Sequence, residues 1–391
     1  MTDPAVPAAP LVVFLVHATD RTGPPRVLLH QIRWLRAHTD WRLAVVTLRE
    51  GDLQAEFEAV GDVFVVGEHH AAPTDPAGVA EETRRDAARR AVLASLAPAD
   101  LVYVNTAWSI HLLHLLPARP DGRPRPRISA VHELDHDLRH TLDAAARADL
   151  LAGADHVLAG AEVIARNLVD GHGVPTERVT VVREAIELPD VTVPPTLDRP
   201  MLGIAPDTFV VSMAGSPVWR KGPDLFVHVA WHLCRLRPER TVRFRWIGAA
   251  GSADEPDLRT PLADVARLGL ESVVEFVPAT ELVFDHLRAS DVFLLTSRED
   301  ASPLVCLEAA AVGLPVVCFD TGQSGANVGP DGALVIRYPD VPAMAAALAV
   351  LADDPDEAHR RGRAGQVRVR ERHDIAVAGA QLAALIRSWL P

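Results

Sequence analysis

The sequence predicts an α/β protein built from two Rossmann-like, doubly wound domains. Three observations lead there: short Val- and Leu-rich runs alternate with longer stretches of helical periodicity, the alternation occurs twice, and a proline-rich, aperiodic stretch separates the two series. Continuous apolar runs, rather than polar/apolar alternation, suit strands of a parallel sheet covered by helices on both faces. At 391 residues the chain is long for one core and ample for two, each able to bury a sizeable interior.

The first series opens with LVVFLVH (11–17), followed by RVLLHQIRWLRAH (26–38), in which Val27, Leu28, Ile32 and Leu35 fall on one helical face. Candidate strands continue at RLAVVTL (42–48), VFVVG (63–67), LVYVNT (101–106), RISAVHE (127–133) and HVLAG (156–160), and the series closes with RVTVVREAI (178–186). Then ELPDVTVPPTLDRP (187–200), rich in proline, reads as an interdomain linker. The second series runs through TFVVSMAG (208–215), VRFRWIG (242–248), VVEFVP (273–278), VFLLTS (292–297), LPVVCFD (314–320) and ALVI (333–336). The expected domains are 1–190 and 201–372, facing each other across a cleft, with a final helix over 375–391 packing back on the first.

A net charge of −13 and a pI near 5.7 argue against nucleic acid or an anionic membrane as the main partner, because either would repel the summed field. The run LVVFLV (11–16) is too short to span a bilayer, and MTDPAVPAAP before it lacks the positive region of a signal peptide. Cys234, Cys306 and Cys318 show no close metal-type spacing, so buried thiols in a reducing cytoplasm are expected and a disulfide framework is not.

Lys221, in GSPVWRKGPDLF (215–226), is the only lysine in the chain; every other residue of the 39 Lys+Arg is arginine. A GC-rich coding bias explains the missing lysines but not the position of the survivor. In open parallel sheets ligands bind beyond the carboxyl ends of the strands, and Lys221 lies on such a loop, before the candidate helix PDLFVHVAWHL (223–233). Arg220 with Lys221 suits a diphosphate. A compact ammonium and a wide guanidinium fork are not interchangeable in a tight phosphate pocket. The alternative is a codon that escaped the bias on an exposed loop.

A second loop, LTSREDASPLVCLEAAAVGLPVVCFDTG (295–322), supports the first reading. Ser302 is a candidate N-cap with Pro303 at the first helical position, and Leu304 to Val312 have helical composition. The free N–H groups at that helix start, around Ser302, Leu304 and Val305, would receive phosphate oxygens. Glu308 lies about two turns in, where a carboxylate reaches sugar hydroxyls.

These two stretches resemble the donor-site signatures of nucleotide-sugar glycosyltransferases of the GT-B fold, specifically the large retaining family 4, also described as group 1. Its second signature places two acids eight residues apart before an alanine-rich helix and a G-x-P-V turn; here these are Asp300 and Glu308, followed by AAAVGLPVV. HATDRTGPPRVLL (17–29), YVNT (103–106), VHELDHDLR (131–139) and the segment 154–187 resemble first-domain pieces of such enzymes, so most of the chain is covered. The resemblance implies a GT-B fold and a nucleotide-sugar-dependent transferase acting on a small-molecule or saccharide acceptor with retention. It implies that Arg220 and Lys221 hold the donor diphosphate and Glu308 the ribose. On the same resemblance Asp300 would touch the transferred sugar, with Glu299 as the competing acid, and His132 would line the sugar pocket. The resemblance also implies that the backbone from Val277 to Thr280 would meet the base, while Gly23 would let the first loop approach phosphate or acceptor. Neither a metal nor a separate cofactor is implied.

Two departures from the family pattern bear on the donor. Ser216 stands where many members carry arginine, and TGQSGANVGPDG (321–332) lacks the expected acid, with Ala326 and Asn327 in its place. A cyclitol or unusual sugar as the activated group, as in natural-product biosynthesis, is therefore an alternative, as is a non-catalytic nucleotide-sugar binder. A nicotinamide dehydrogenase is disfavoured because no G-x-G-x-x-G follows the first strand. His132, Asp135, His136 and Asp137 suggest a metal hydrolase or, more simply, a solvated loop.

Overall fold

The computed structural model describes residues 9–67, 76–249, 251–252 and 255–391, with only the backbone path given for 76–83. The chain divides into two compact units, one of residues 1–184 with 375–391, the other of 185–374.

The first unit holds seven parallel strands: β1 (Leu11–Ala18), β2 (Arg42–Arg49), β3 (Asp62–Val65), β4 (Leu101–Asn105), β5 (Arg127–Val131), β6 (His156–Ala159) and β7 (Val179–Val181), in the order β3-β2-β1-β4-β5-β6-β7. Val12 pairs with Leu43 on one side and Leu101 on the other. Val12 to Val16 and Tyr103 to Val104 are wholly buried, as expected of central strands covered on both faces. The helix Gly23–His38 turns Val27, Leu28, Ile32 and Leu35 to the core. The helix Ile375–Arg387 joins this unit at the far end of the sequence, burying Ala378, Leu382 and Ile386.

The second unit repeats the design with β8 (Phe209–Ala214), β9 (Val242–Ile247), β10 (Val274–Val277), β11 (Val292–Leu295), β12 (Val316–Phe319) and β13 (Ala333–Ile336), in the order β10-β9-β8-β11-β12-β13. Helix Pro223–Leu236 buries Phe226 edge-on against Phe244 and Trp246, with ring centroids 5.3 and 5.4 Å apart. In each sheet the order reverses beside the first strand of the unit, which places a topological switch point between β1 and β4 and another between β8 and β11.

The stretch 187–200 is not a free linker. It belongs to the second unit, to which specific hydrogen bonds strap it. Asp285 Oδ2 accepts from the backbone N–H of Thr196 and Leu197 at 2.8 and 3.1 Å, Arg199 reaches Asp291 at 2.6 Å, and Arg288 donates to the Val193 carbonyl at 2.7 Å. The dividing point accordingly falls at 184/185, earlier than the expected 190. Within 178–186, β7 takes Val179–Val181, and Ile186 makes an isolated bridge to Asp374.

Candidate functional site

The loops at the second switch point carry the sequence-expected cations and acids. β8 ends at Ala214, and residues 215–222 close through a single 3-10 turn, Trp219–Lys221, before the helix at Pro223. Gly222 has φ +71°, and a Cβ there would lie 2.3 Å from the Thr296 carbonyl oxygen. Only glycine permits that left-handed turn and close approach. Thr296, directly after β11, ties the two loops by donating its hydroxyl to the carbonyls of Lys221 and Gly222 at 3.1 and 3.0 Å. Arg298 N–H donates to the Arg220 carbonyl at 2.7 Å.

Within this frame the Lys221 ammonium donates to Asp300 Oδ2, Ser297 Oγ donates to the same oxygen at 3.3 Å, and Arg220 Nη1 stands 3.6 Å from Asp300 Oδ1. Lys221 and Asp300 side chains are only 12% and 10% exposed, whereas Arg220 is 41% exposed. The lone lysine is thus the inner cation and the arginine the outer one. Arg298, not singled out from sequence, clamps Asp224 through two nitrogens at 2.9 and 2.7 Å, and its guanidinium lies 4.9 Å from the centroid of the exposed Trp219 ring. Burial is the largest influence and would raise the Asp224 pKa, but the Arg298 hydrogen bonds and charge, together with the backbone N–H groups of Asp224 and Leu225, outweigh it and hold the carboxyl below its usual range.

The third stretch, TGQSGANVGPDG, packs directly on the second. Asp300 forms an isolated bridge with Gly322, where a Cβ would sit 1.8 Å from the Asp300 carbonyl oxygen, so glycine is required there too. Gln323 N–H donates to the Ala301 carbonyl at 2.9 Å, and Asn327 Nδ2 to Ser302 Oγ at 3.0 Å. That last bond bears on a correction: the helix runs Leu304–Ala311 with Pro303, in extended conformation, at its N-cap. Ser302 is therefore one position outside the cap expected for it, its hydroxyl engaged by Asn327. Leu304 and Val305 open the helix, and Glu308 is buried within it. Ala326 is exposed and Asn327 is turned inward.

The remaining expected residues belong to other elements. Val277 ends β10, the edge strand, where its carbonyl accepts from Gly248 and Ala249; Thr280 Oγ1 caps the turn by accepting from Leu282 N–H at 3.1 Å. Gly23 opens the helix after β1, and a Cβ there would meet nothing within 4 Å, so the fold itself does not demand glycine at that position. His132 follows β5. Its Nδ1 lies 3.0 Å from Glu184 Oε1 and its Nε2 3.0 Å from Asn105 Oδ1, so both ring nitrogens are engaged inside the first unit. Burial works against a charged imidazole, but the Glu184 hydrogen bond, with the charges of Glu184 and Glu133, outweighs it and raises the His132 pKa. For Glu133, by contrast, burial raises the pKa. Sequence gave no signal for Glu184, which is separated from His132 by 52 positions.

Asp135 accepts from Arg139 at 2.7 Å, and among the described residues no group of three or more His, Cys, Asp or Glu could hold a metal ion. Burial pushes the Cys306 thiol well up and Cys318 to about 12, while Cys234 is only half-buried rather than buried as expected. No helix among the described residues is long and apolar enough to cross a membrane.

Residues 208–354 match the family described as glycosyl transferases group 1. The D-inositol 3-phosphate glycosyltransferase of Kineococcus radiotolerans is 33% identical over 53% of this chain and 51% of its own, and that of Nocardia farcinica 33% over 54% and 48%. The chain thus spans about half the length of the curated relatives it matches. Among solved structures, the Anabaena protein HepE in complex with UDP and glucose superposes with a TM-score of 0.80 at 19% identity, covering 96% of this chain and 99% of that one. Sucrose-phosphate synthase from Thermosynechococcus elongatus gives 0.75 at 17% identity, over 97% and 98%. These likenesses establish the two-domain GT-B fold.

Proposed function

We propose, from the membership of residues 208–354 in the group 1 glycosyltransferases and from the GT-B fold of the chain, that the protein transfers a sugar from a nucleoside diphosphate donor to a hydroxyl of a small-molecule or saccharide acceptor. The observation that carries this is the pairing of Lys221 with Asp300 at the switch point of the second sheet, with Arg220 outside it. A donor diphosphate brings two or more negative oxygens to Arg220 and Lys221. As it draws the ammonium toward itself, Asp300 becomes available to accept hydrogen bonds from sugar hydroxyls. Glu308 takes the ribose, the backbone from Val277 to Thr280 meets the base, and the start of the helix Leu304–Ala311 adds N–H groups and a positive dipole end toward the phosphate. Gly23 and the loops at the carboxyl edge of the first sheet receive the acceptor side.

In the reaction the anomeric C–O bond to the diphosphate breaks as the acceptor oxygen bonds to the same carbon. The acceptor proton passes to the departing diphosphate oxygen, and the configuration is retained. Negative charge grows on the leaving oxygen, and preorganised cations facing that position are the kind of stabilisation that usually contributes most. The cations already provided make a divalent ion dispensable.

A thermal-shift panel of UDP, GDP, ADP and dTDP tests the donor site first, since a ligand bound only by the native state raises apparent stability. One of them is expected to stabilise wild type and to lose that effect in Lys221→Ala. Release of nucleoside diphosphate from the matching nucleotide sugar then separates an enzyme from a non-catalytic binder. No stabilisation by any of the four overturns the assignment.

A second reading of the donor rests on the exposed Ala326 and inward Asn327, which leave a hexose hydroxyl without its charged acceptor. An unpaired polar group buried on binding costs about 1–3 kcal/mol. The preferred donor then carries a modified or less hydroxylated ring, such as a cyclitol. Asp320 or Gln323 taking over that role is the competing arrangement. Efficient transfer from UDP-glucose, at rates no modified donor exceeds, defeats this reading.

A further inference from the structure

At the carboxyl edge of the first sheet a buried chain of polar groups crosses four elements. Asn105, the last residue of β4, donates from Nδ2 to the Pro24 carbonyl at 3.2 Å in the first turn of the helix after β1. Its Oδ1 faces His132 Nε2 at 3.0 Å, and His132 Nδ1 faces Glu184, just beyond β7. All three side chains are buried: Asn105 is fully enclosed, and the His132 and Glu184 side chains are 4% and 7% exposed. The amide of Asn105 has one possible orientation, because the Pro24 carbonyl only accepts and must face the nitrogen. His132 Nε2 therefore meets an oxygen and must donate. Nδ1 meets a carboxylate oxygen, and a ring that donates from both nitrogens is an imidazolium. The charged groups acting on it are Glu184 and Glu133; β4 and the helix at Pro24 present only a neutral amide and a carbonyl.

Backbone geometry at the same place is strained. Thr106, directly after Asn105, has φ +77° and is 1% exposed, a conformation rare for a β-branched residue and one that persists only where surrounding contacts impose it. Ser109 Oγ donates to the Asn105 carbonyl at 2.5 Å from the following turn. The position is thus held from both sides.

We propose that Asn105 and Glu184 are positioning residues: together they fix the His132 ring by both nitrogens, and Asn105 carries that fixed position through the Pro24 carbonyl to the loop between β1 and the helix Gly23–His38. This rests on the reading above that the loops at this edge receive the acceptor side. The loop leads into Gly23, the first residue of the helix, whose missing side chain the fold does not need, and its shape then depends on residues far away in sequence. His132 acts on the reaction through this loop and not as a proton donor or acceptor of its own.

The test uses the full chain and two size-conserving substitutions. By 15N-histidine NMR, wild-type His132 is expected to carry protons on both nitrogens at pH 7. Glu184→Gln removes the counter-charge and lowers its titration midpoint by about one unit or more. Asn105→Asp keeps an acceptor for Nε2, so the midpoint does not fall, but it removes the donor to Pro24, and amide exchange over residues 18–23 quickens by about tenfold. In that variant kcat or the acceptor KM changes while nucleotide affinity, set in the second unit, stays at the wild-type value. A singly protonated His132 at pH 7, or wild-type exchange rates in Asn105→Asp, overturns the proposal. If a variant does not fold, the wild-type titration decides alone. The NMR and exchange measurements need no substrate, so a failure to find glycosyl transfer is distinguishable from a failure of this network.

Discussion

Replacing Lys221 tests both the stability and the chemistry of the site. Lys221 and Asp300 are 12% and 10% exposed and paired, and deleting one partner of a buried pair leaves the other charge uncompensated, at about 3–5 kcal/mol. Here Ser297 Oγ, 3.3 Å from Asp300 Oδ2, and Arg220, 3.6 Å from Oδ1, soften that loss, so Lys221→Ala is expected to cost about 2 kcal/mol. For a unit of this size that is roughly a 4–8 °C fall in melting temperature. The fold survives, though less stably than an exposed-loop lysine would suggest. Turnover should drop about 10²- to 10³-fold, as when one preorganised stabilising group is lost. Removing Asp300 as well abolishes the uncompensated charge, so Lys221→Ala/Asp300→Ala should recover part of the stability but none of the activity, a non-additivity measured by a double-mutant cycle. Lys221→Arg should also turn over slowly, since a planar fork does not reproduce a point charge in an enclosed site. Calorimetry and initial rates decide the matter: Lys221→Arg equal to wild type in both, or a double variant no more stable than Lys221→Ala, refutes the reasoning.

Gly222→Ala should destabilise the second unit by about 1–3 kcal/mol, because φ is +71° and the new Cβ would lie 2.3 Å from the Thr296 carbonyl; a urea midpoint equal to wild type contradicts the close approach. Stability should also depend on pH through His132, whose pKa is raised on folding. That contribution is fully present below the unfolded value of about 6.5 and lost as pH rises through the folded value. Denaturation profiles across this window should therefore slope downward in wild type and flatten in His132→Asn, and identical slopes would remove His132 as the cause. Chelation followed by dialysis should leave most transferase activity; loss restored only by magnesium or manganese would mean that the diphosphate site has been misread.

The fold was legible because its signal is local. Apolar runs at β1, β4, β8 and β11 are continuous since both faces of a parallel sheet are covered, and this can be read without knowing what covers them. The charged loops of the second unit were legible for a related reason: Arg220 and Lys221 follow β8, Asp300 and Glu308 follow β11, and each set lies within a short stretch of chain. Chemistry set by long-range contact was not. Glu184 carries no distinguishing mark until folding places it against His132, Arg298 looks like one arginine among many until it clamps Asp224, and 187–200 looks like a linker because proline and aperiodicity do not reveal the Asp285 and Asp291 hydrogen bonds that strap it down. Ser302 was assigned one position too deep in the helix because a serine before proline is a good local cap, and only the tertiary contact with Asn327 shows its hydroxyl engaged elsewhere. The sequence by itself determined the two parallel-sheet units and the stretches that carry charge to their edges, because periodicity and composition act over a few residues. The tertiary structure decided which charges meet, Lys221 with Asp300 and His132 with Glu184, because hydrogen bonds and desolvation depend on distance in space, and positions 79 and 52 apart along the chain carry no local mark of their partners.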